Sequence, residues 1–541
     1  MIGKEQLGPH LGADTAHLAI GPPAGANHVP AHAASRRGAV PMWRTWMVAF
    51  GALWLASVAW ALASPIGSGP DEPAHLIRAA SLVRGQLVGT PVPHASNALK
   101  STVSVEAPQV FARLANDVGC FQFKPDVTAH CQGSLAGSPH DVAVYTYVGR
   151  YPPLYYGLVG LPTLVVVSPT GIYLARVVSA ALSAAMLALA VTSLRRCQGA
   201  PLLGAGLALA VTPMALYLAA VINPSGLEIS SAISAWTAAM ALASRGPEGT
   251  DNAMLATLAI SAVTLLLTRA LSPLWVVFVA AGLLALRPSL LALLRSRQAQ
   301  IWLAACAVAG VLAAIWDIYA DPFLTEPGAA IPPGASELHI LDLALQRLYL
   351  LVTSSIGYFG WLDTPSPHGV LATWLLALGV VGIAAVLVAR LRAAIAVVAV
   401  LVAWVGVPVM LIVSQARSEG ILGQGRDFMG LAVGFPIMAG LAAGERLQGR
   451  RATLIVTKAV IGVLVACQVA DFYSALRRNT VGDRGPLDAF AAVPNGWAPP
   501  LPALVLFACF TMAIVAFGAT LWLAARAQPR LTPAMPVAFL A

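Results

Sequence analysis

The feature that most constrains this chain is a repetition: apolar stretches of about twenty residues recur from Met42 to Ala525, separated by short polar segments. Each is long enough to cross a hydrocarbon core as a helix, in which every backbone group is satisfied within the segment. Composition closes the soluble alternative. Of 541 residues only 10% are charged and 58% are hydrophobic, whereas a soluble domain carries roughly 25% charged residues.

The expected spans are 43–64, 172–194, 201–222, 227–244, 252–268, 271–286, 300–319, 370–389, 394–414, 428–444, 453–470 and 501–525, an all-α polytopic membrane protein of about twelve transmembrane helices. The basic excess, 32 Lys+Arg against 23 Asp+Glu, falls in short clusters between spans. That is the pattern of cytoplasmic loops, so membrane topology accounts for the charge and no nucleic-acid partner is expected. With both termini cytoplasmic, Arg195–Arg196, Arg245, Arg287/Arg295/Arg297, Arg390/Arg392, Arg446/Arg450/Arg451 and Arg526/Arg530 lie inside, and segments 65–171, 320–369 and 471–500 lie outside. Residues 1–42 read as a disordered tail, 43–450 as the main transmembrane core and 451–541 as C-terminal helices with outer loop 471–500. The first apolar stretch is long enough to be kept as an anchor.

Two segments do not fit a simple crossing. Residues 152–168, interrupted by Pro152, Pro153 and Pro162, read as a re-entrant or juxtamembrane element, because counting them as a span would invert every later loop. Leu338–Ile356 reads as an amphipathic helix on the outer surface. No internal repeat is visible.

Candidate chemistry collects in the outer segments. Gly69-Pro70-Asp71-Glu72-Pro73-Ala74-His75 opens a helix carried by Leu76, Ala80, Val83 and Leu87, expected to lie along the membrane surface. Two carboxylates and an imidazole so close suit a divalent cation such as Mg or Mn, or a general base; acidic capping of the helix is the simpler alternative. Glu228, in Asn223-Pro224-Ser225-Gly226-Leu227-Glu228, is a second acid at an outer helix end. Arg269, in a Thr268-Arg269 turn, and Arg426, in Gln424-Gly425-Arg426-Asp427-Phe428, break the positive-inside pattern. A guanidinium there matches phosphate oxygens; lipid headgroups or, for Arg426, Asp427 are the other partners open to it. Tyr145, Tyr147, Tyr151, Tyr155, Tyr156, Tyr358, Phe359 and Trp361 suit either an interfacial belt or sugar stacking. Cys120 and Cys131 share one polar loop and permit a disulfide outside the cytoplasm; Cys197, Cys306, Cys467 and Cys509 read as packing residues. No Walker loop, dinucleotide fingerprint or GxSxG elbow is present in the sequence.

The order of these pieces resembles the GT-C class of membrane glycosyltransferases, with Asp71-Glu72 at the place of the first-loop acid, Pro152-Pro153-Leu154-Tyr155-Tyr156 at the juxtamembrane motif and Thr268-Arg269 at a Thr-Lys-type turn. PDEPAH, YPPLYY, NPSGLE and QGRDF resemble more closely a bacterial family of predicted membrane proteins of unknown function, over roughly residues 45–450. Ser225 stands where many GT-C enzymes carry their second acid, and Arg269 replaces a lysine. The resemblance implies an enzyme of the bacterial plasma membrane, inverting at the sugar carbon. It would move a sugar from a polyprenyl-phosphate donor to a cell-envelope glycan or glycolipid acceptor, among membrane lipids. Asp71 or Glu72 would be the base, Glu228 and His75 would hold a cation or the acceptor, and Arg269 and Arg426 the donor phosphate. A flippase or exporter of lipid-linked saccharides, and a non-catalytic scaffold, are the competing classes.

Overall fold

A computed structural model describes residues 41–92, 101–133, 135, 137–198, 200–323, 331, 334–490 and 496–528. The tail expected at 1–42 and the last residues of the chain lie almost wholly outside them.

Among the described residues eight helices are long and apolar enough to cross a membrane, and up to ten candidate spans result if each of two bent pairs counts as one. The remaining two of the expected twelve spans are helices that are shorter or more polar. Leu203–Ala210 and Pro213–Ala220 meet at 50° across Thr212-Pro213, and Ser272–Leu286 meets Pro288–Arg295 at 109° across Arg287-Pro288. Proline restricts the residue before it to extended backbone and removes a donor, so both breaks are local consequences of sequence. Expected span 252–268 is the fifteen-residue helix Asn252–Leu266. Expected span 227–244 is the helix Pro224–Arg245, rich in Ser, Thr and Ala and buried at every position from Pro224 to Ser244.

That helix is the centre of the bundle. Its small side chains admit close neighbours, as in membrane helix packing generally. Trp236 is held between two glycines: a Cβ on Gly434 would meet its ring at 2.5 Å and one on Gly282 at 2.7 Å. Its indole donates to Gly430 O at 3.1 Å. Around this core, helices such as Arg297–Ala320 and His368–Val388 expose Val308, Ile315, Leu376 and Ile383, a surface suited to hydrocarbon and not to water. The chain is thus a multi-pass, mainly helical membrane protein. Helices Arg451–Val481 and Ala503–Arg526 pack against each other and against Met42–Ala63, within the same compact body.

The two ends of the bundle differ. At one, Arg195 bonds Thr45, Arg245 Nε reaches Arg196 O at 2.6 Å and Arg287 Nε reaches Ala243 O at 2.8 Å. At the other sit the long polar segments. Arg478 ties them together, donating to Phe121 O and Lys124 O at 3.2 Å and to Asp363 Oδ2 at 2.8 Å. Cys120 and Cys131 are disulfide-bonded in this region.

The first long loop holds more than helices. Strands β1 (Thr90–Pro91), β2 (Val103–Pro108) and β3 (Asp141–Thr146) form an antiparallel sheet in the order β1-β2-β3, pairing Thr90 with Ser104 and Val103 with Thr146. The sheet covers the helix Glu72–Leu82, which is buried from Glu72 to Ser81 and does not lie along the surface as its spacing suggested. Segment 152–168 forms two short helices, Pro153–Val159 and Pro162–Val165. At about 1.5 Å per residue neither can cross a bilayer. Glu337–Ile356 exposes Leu338, Leu341, Leu345 and Tyr349, but its last turns, Leu351 and Thr353 to Ile356, are buried in the bundle.

Candidate functional site

The Gly69-Pro70-Asp71-Glu72 turn and the Asn223-Pro224 turn are packed on each other. Gly69 leaves no room for a side chain, since a Cβ there would meet Val221 at 2.8 Å. Asn223 Nδ2 donates to Pro70 O at 2.9 Å, while its Oδ1 caps its own helix at Ser225 N. Pro73 and Pro224 begin their helices where a missing N–H costs nothing. Sequence segments more than 150 positions apart thus bring their acids to one end of the bundle.

The two adjacent acids go opposite ways. Asp71 takes a left-handed backbone, φ 60°, and gives no cap bond to the helix behind it. Its Oδ1 accepts from the Tyr147 hydroxyl at 2.6 Å and its Oδ2 from Arg426 Nη2, and the side chain is 26% exposed. Glu72 turns inward with no exposed surface. Arg176 donates to it twice, Nε to Oε1 at 2.7 Å and Nη2 to Oε2 at 2.6 Å, and Ile222 N and Gly69 N supply two more bonds. The rest of that guanidinium is spent on Ala61 O, Ser64 O and Pro65 O at 2.7 Å each. Glu72 is a structural tie between loop and bundle, with no lone pair left for a substrate.

Glu228 is engaged at both oxygens: Ser272 Oγ at 2.7 Å and Trp275 Nε1 at 2.9 Å on Oε1, Arg269 Nη1 at 3.0 Å on Oε2. Arg269 reaches on to Asp427 Oδ1 with Nη2 at 3.2 Å. Asp427 thus pairs with Arg269 and not with its neighbour Arg426. The Gln424-Gly425-Arg426 turn is placed by Gly425, where a Cβ would strike Leu351 O at 2.3 Å. The Asp71, Glu228, Arg269 and Arg426 segments therefore meet in one cluster, with alternating signs.

Burial works against ionised Asp71, but the Arg426 charge, with His75 and the Tyr147 bond, outweighs it and holds the carboxyl below the usual carboxylate range. Burial pushes His75 down to about 3, with Asp71 opposing and Arg426 and Arg269 reinforcing. Its Nδ1 lies 2.8 Å from the Tyr156 hydroxyl. Burial also raises Tyr147, and its bond to Asp71 adds to this, so it stays a donor. Among the described residues no three His, Cys, Asp or Glu side chains converge as ligands for a metal ion. The carboxylate oxygens of Asp71, Glu72 and Glu228 already accept from arginine, hydroxyl or N–H donors, a set that does not fit a resident cation.

An apolar cavity of about 510 Å³ is walled by Pro152, Leu154, Leu266, Leu312, Trp316 and Tyr319. Leu266 stands three residues before Arg269. The tyrosines are divided: Tyr155 and Tyr156 are fully buried, Tyr145 is exposed. Arg176 escaped sequence reading, although an arginine inside the expected span 172–194 was the signal for it.

A search of curated proteins gives no match. Two solved structures are similar at 15% identity. ArnT from Cupriavidus metallidurans bound to undecaprenyl phosphate has a TM-score of 0.41, covering 89% of this chain and 77% of that one. The apo state of the same protein scores 0.37, covering 90% and 78%. A family model described as "Predicted membrane protein (DUF2142)" matches residues 54–435, and the chain belongs to that family.

Proposed function

We propose that this chain is an inverting GT-C-type glycosyltransferase that moves a sugar from a polyprenyl phosphate to a cell-envelope glycan or glycolipid. It would act at the outer face of the bacterial plasma membrane, with both termini cytoplasmic. One observation carries the reading: a partly exposed carboxylate, Asp71, and two largely buried guanidiniums, Arg426 and Arg269, meet at one end of the bundle, and an apolar cavity is lined by Leu266 and Leu267, just ahead of Arg269 in the chain.

In this scheme the polyprenyl tail occupies the cavity and the phosphate lies at the arginines. The acceptor oxygen attacks the sugar C1 and its proton passes to Asp71. The C1–O bond to phosphate breaks with its electron pair on the phosphate, where guanidinium charge stabilises it. Of the three expected acids, Asp71 alone has solvent access; Glu228 positions Arg269.

The carrier reading has one observation of its own. Gln468 binds Val211 O at the break between Leu203–Ala210 and Pro213–Ala220, and Asp471, one turn on, is buried with Oδ1 unpartnered. Broken helices with buried acids are common in carriers.

The deciding experiment is a transfer assay in lipid with a panel of polyprenyl-phosphate sugars, with and without Mg or Mn, alongside a lipid-flipping assay. Sugar transfer or donor hydrolysis lost in Asp71→Asn supports the enzyme. Flipping without turnover, sensitive to Asp471→Asn, replaces it with the carrier.

A further inference from the structure

Resting on the donor reading above, we propose that the Asp71–Arg426 ion pair is a gate. Arg426 is a counterion shared between the base and the donor phosphate, so that donor arrival releases Asp71 for proton abstraction.

Both oxygens of Asp71 are engaged, one by Tyr147 and one by Arg426. A carboxylate tied to a guanidinium is a poor proton acceptor, because the pair must separate or lose its charge as the proton arrives. The left-handed backbone at Asp71 directs the carboxylate away from the helix N-terminus, where an aspartate would ordinarily bond. The pairing with Arg426 is thus built into the turn.

Arg426 is made to be shared. The residue is 7% exposed, yet its Nη1 is buried and finds no hydrogen-bond partner among the described residues. Buried guanidinium N–H groups are nearly always paired, so one aimed at no acceptor marks a place for one. A phosphate supplies several oxygens and can take Nη1 and Nη2 together, as the planar fork allows.

Arg269 is not equivalent. It already bonds Glu228, Asp427 and Ser225, so engaging it means disturbing two ion pairs. Arg426 has one pair to surrender and one free amino group to offer. The phosphate therefore displaces Asp71 from Arg426; that ion pair breaks and the phosphate–guanidinium pair forms. Asp71, left with Tyr147 alone, regains basicity beside the acceptor hydroxyl. The donor thereby prepares the base that consumes it, and the base is masked whenever no donor is bound.

Binding is reciprocal, so the gate has a signature without turnover: removing the Asp71 carboxylate must tighten the phosphate's grip on Arg426. The test is equilibrium binding of a polyprenyl phosphate, the donor without its sugar, to the full chain in lipid nanodiscs. Asp71→Asn is expected to bind about five- to tenfold tighter than wild type, within the range of site-to-site couplings. Asp71→Gly is expected to match it, and glycine relieves the left-handed backbone, so folding is preserved if asparagine disturbs it. Arg426→Gln loses binding, and Glu106→Gln, at an exposed acid of β2 outside the cluster, stays close to wild type.

Unchanged or weaker binding by both Asp71 variants would overturn the gate. So would an equal gain in Glu106→Gln, which would mean general charge repulsion and not a shared counterion. Absence of binding by the wild type would strike the donor reading itself.

Discussion

Glu72 and Arg176, 104 residues apart, meet as a doubly hydrogen-bonded ion pair with no exposed surface on either side chain. The pair fastens the turn that carries Asp71 to the helix Pro169–Arg196. Removing one partner strands the other's charge in the bundle, which costs about 3–5 kcal/mol. Glu72→Gln is therefore expected to lower the unfolding midpoint in detergent sharply, and Glu72→Met with Arg176→Met to recover part of it. A Glu72→Gln protein of wild-type stability and no activity would instead make Glu72 the base.

Asp71→Asn should behave in the opposite way. Asparagine tolerates the left-handed backbone and keeps an acceptor for Tyr147, so the protein is expected to fold. Sugar transfer should fall by about 10²–10⁴-fold, the usual contribution of a positioned general base. Unfolding curves and turnover measured on one preparation separate the two variants.

The pH dependence follows from His75 and Asp71. His75 is lowered from 6.5 to about 3, so between those values the unfolded chain takes up a proton that the folded chain refuses. Stability must then fall as pH falls from 6.5 toward 3. Asp71 adds to the same acid slope, because its depressed carboxyl contributes stability that is lost as pH falls through its folded value. His75→Gln is expected to flatten the slope below pH 6.5, read by chemical unfolding at several pH values; an unchanged slope would show that His75 titrates normally.

The Cys120–Cys131 bond closes a short loop that Arg478 also clamps. Replacing both cysteines by serine should cost about 2–4 kcal/mol of local stability on the chain-entropy account. Proteolysis near residues 119–131 should rise, with the helical bundle intact.

Much of the site was legible because its parts are short motifs with unusual residues. A Pro-Asp-Glu-Pro turn, an Asn-Pro helix start and two arginines at the outer rim stood out from apolar surroundings. Which acid faces the opening was not legible. Asp71 and Glu72 are neighbours, and only the sign of one φ sends the first outward and the second into the bundle. Arg176 was hidden for a related reason: its partner is fixed by packing between distant segments, which spacing along one helix cannot reveal. Each of the twelve expected spans falls on a helix or a bent pair, and the departures from simple apolar crossings come at prolines and at polarity. Thr212-Pro213 and Arg287-Pro288 break apolar runs that a hydropathy window averages over. The helix Pro224–Arg245 is long enough to span, yet it is lined with serines because it touches protein on every side. The sheet of β1 to β3 is small, and its strands sit in a polar loop without the long alternation that announces a strand.

The helix Glu337–Ile356 has an apolar stripe, Leu338, Leu341, Leu345 and Tyr349, left exposed by the described residues, while its far end abuts Gly425, next to Arg426. It is a lever with one arm in the surroundings and the other against the charge cluster. The spacing of the cluster is thereby referred to the lipid around the molecule as well as to its own core. Reconstitution in bilayers of graded thickness should accordingly change turnover, through Arg426, while the Glu72–Arg176 tie holds the base in place. Turnover indifferent to thickness would mean that the lever is rigidly braced.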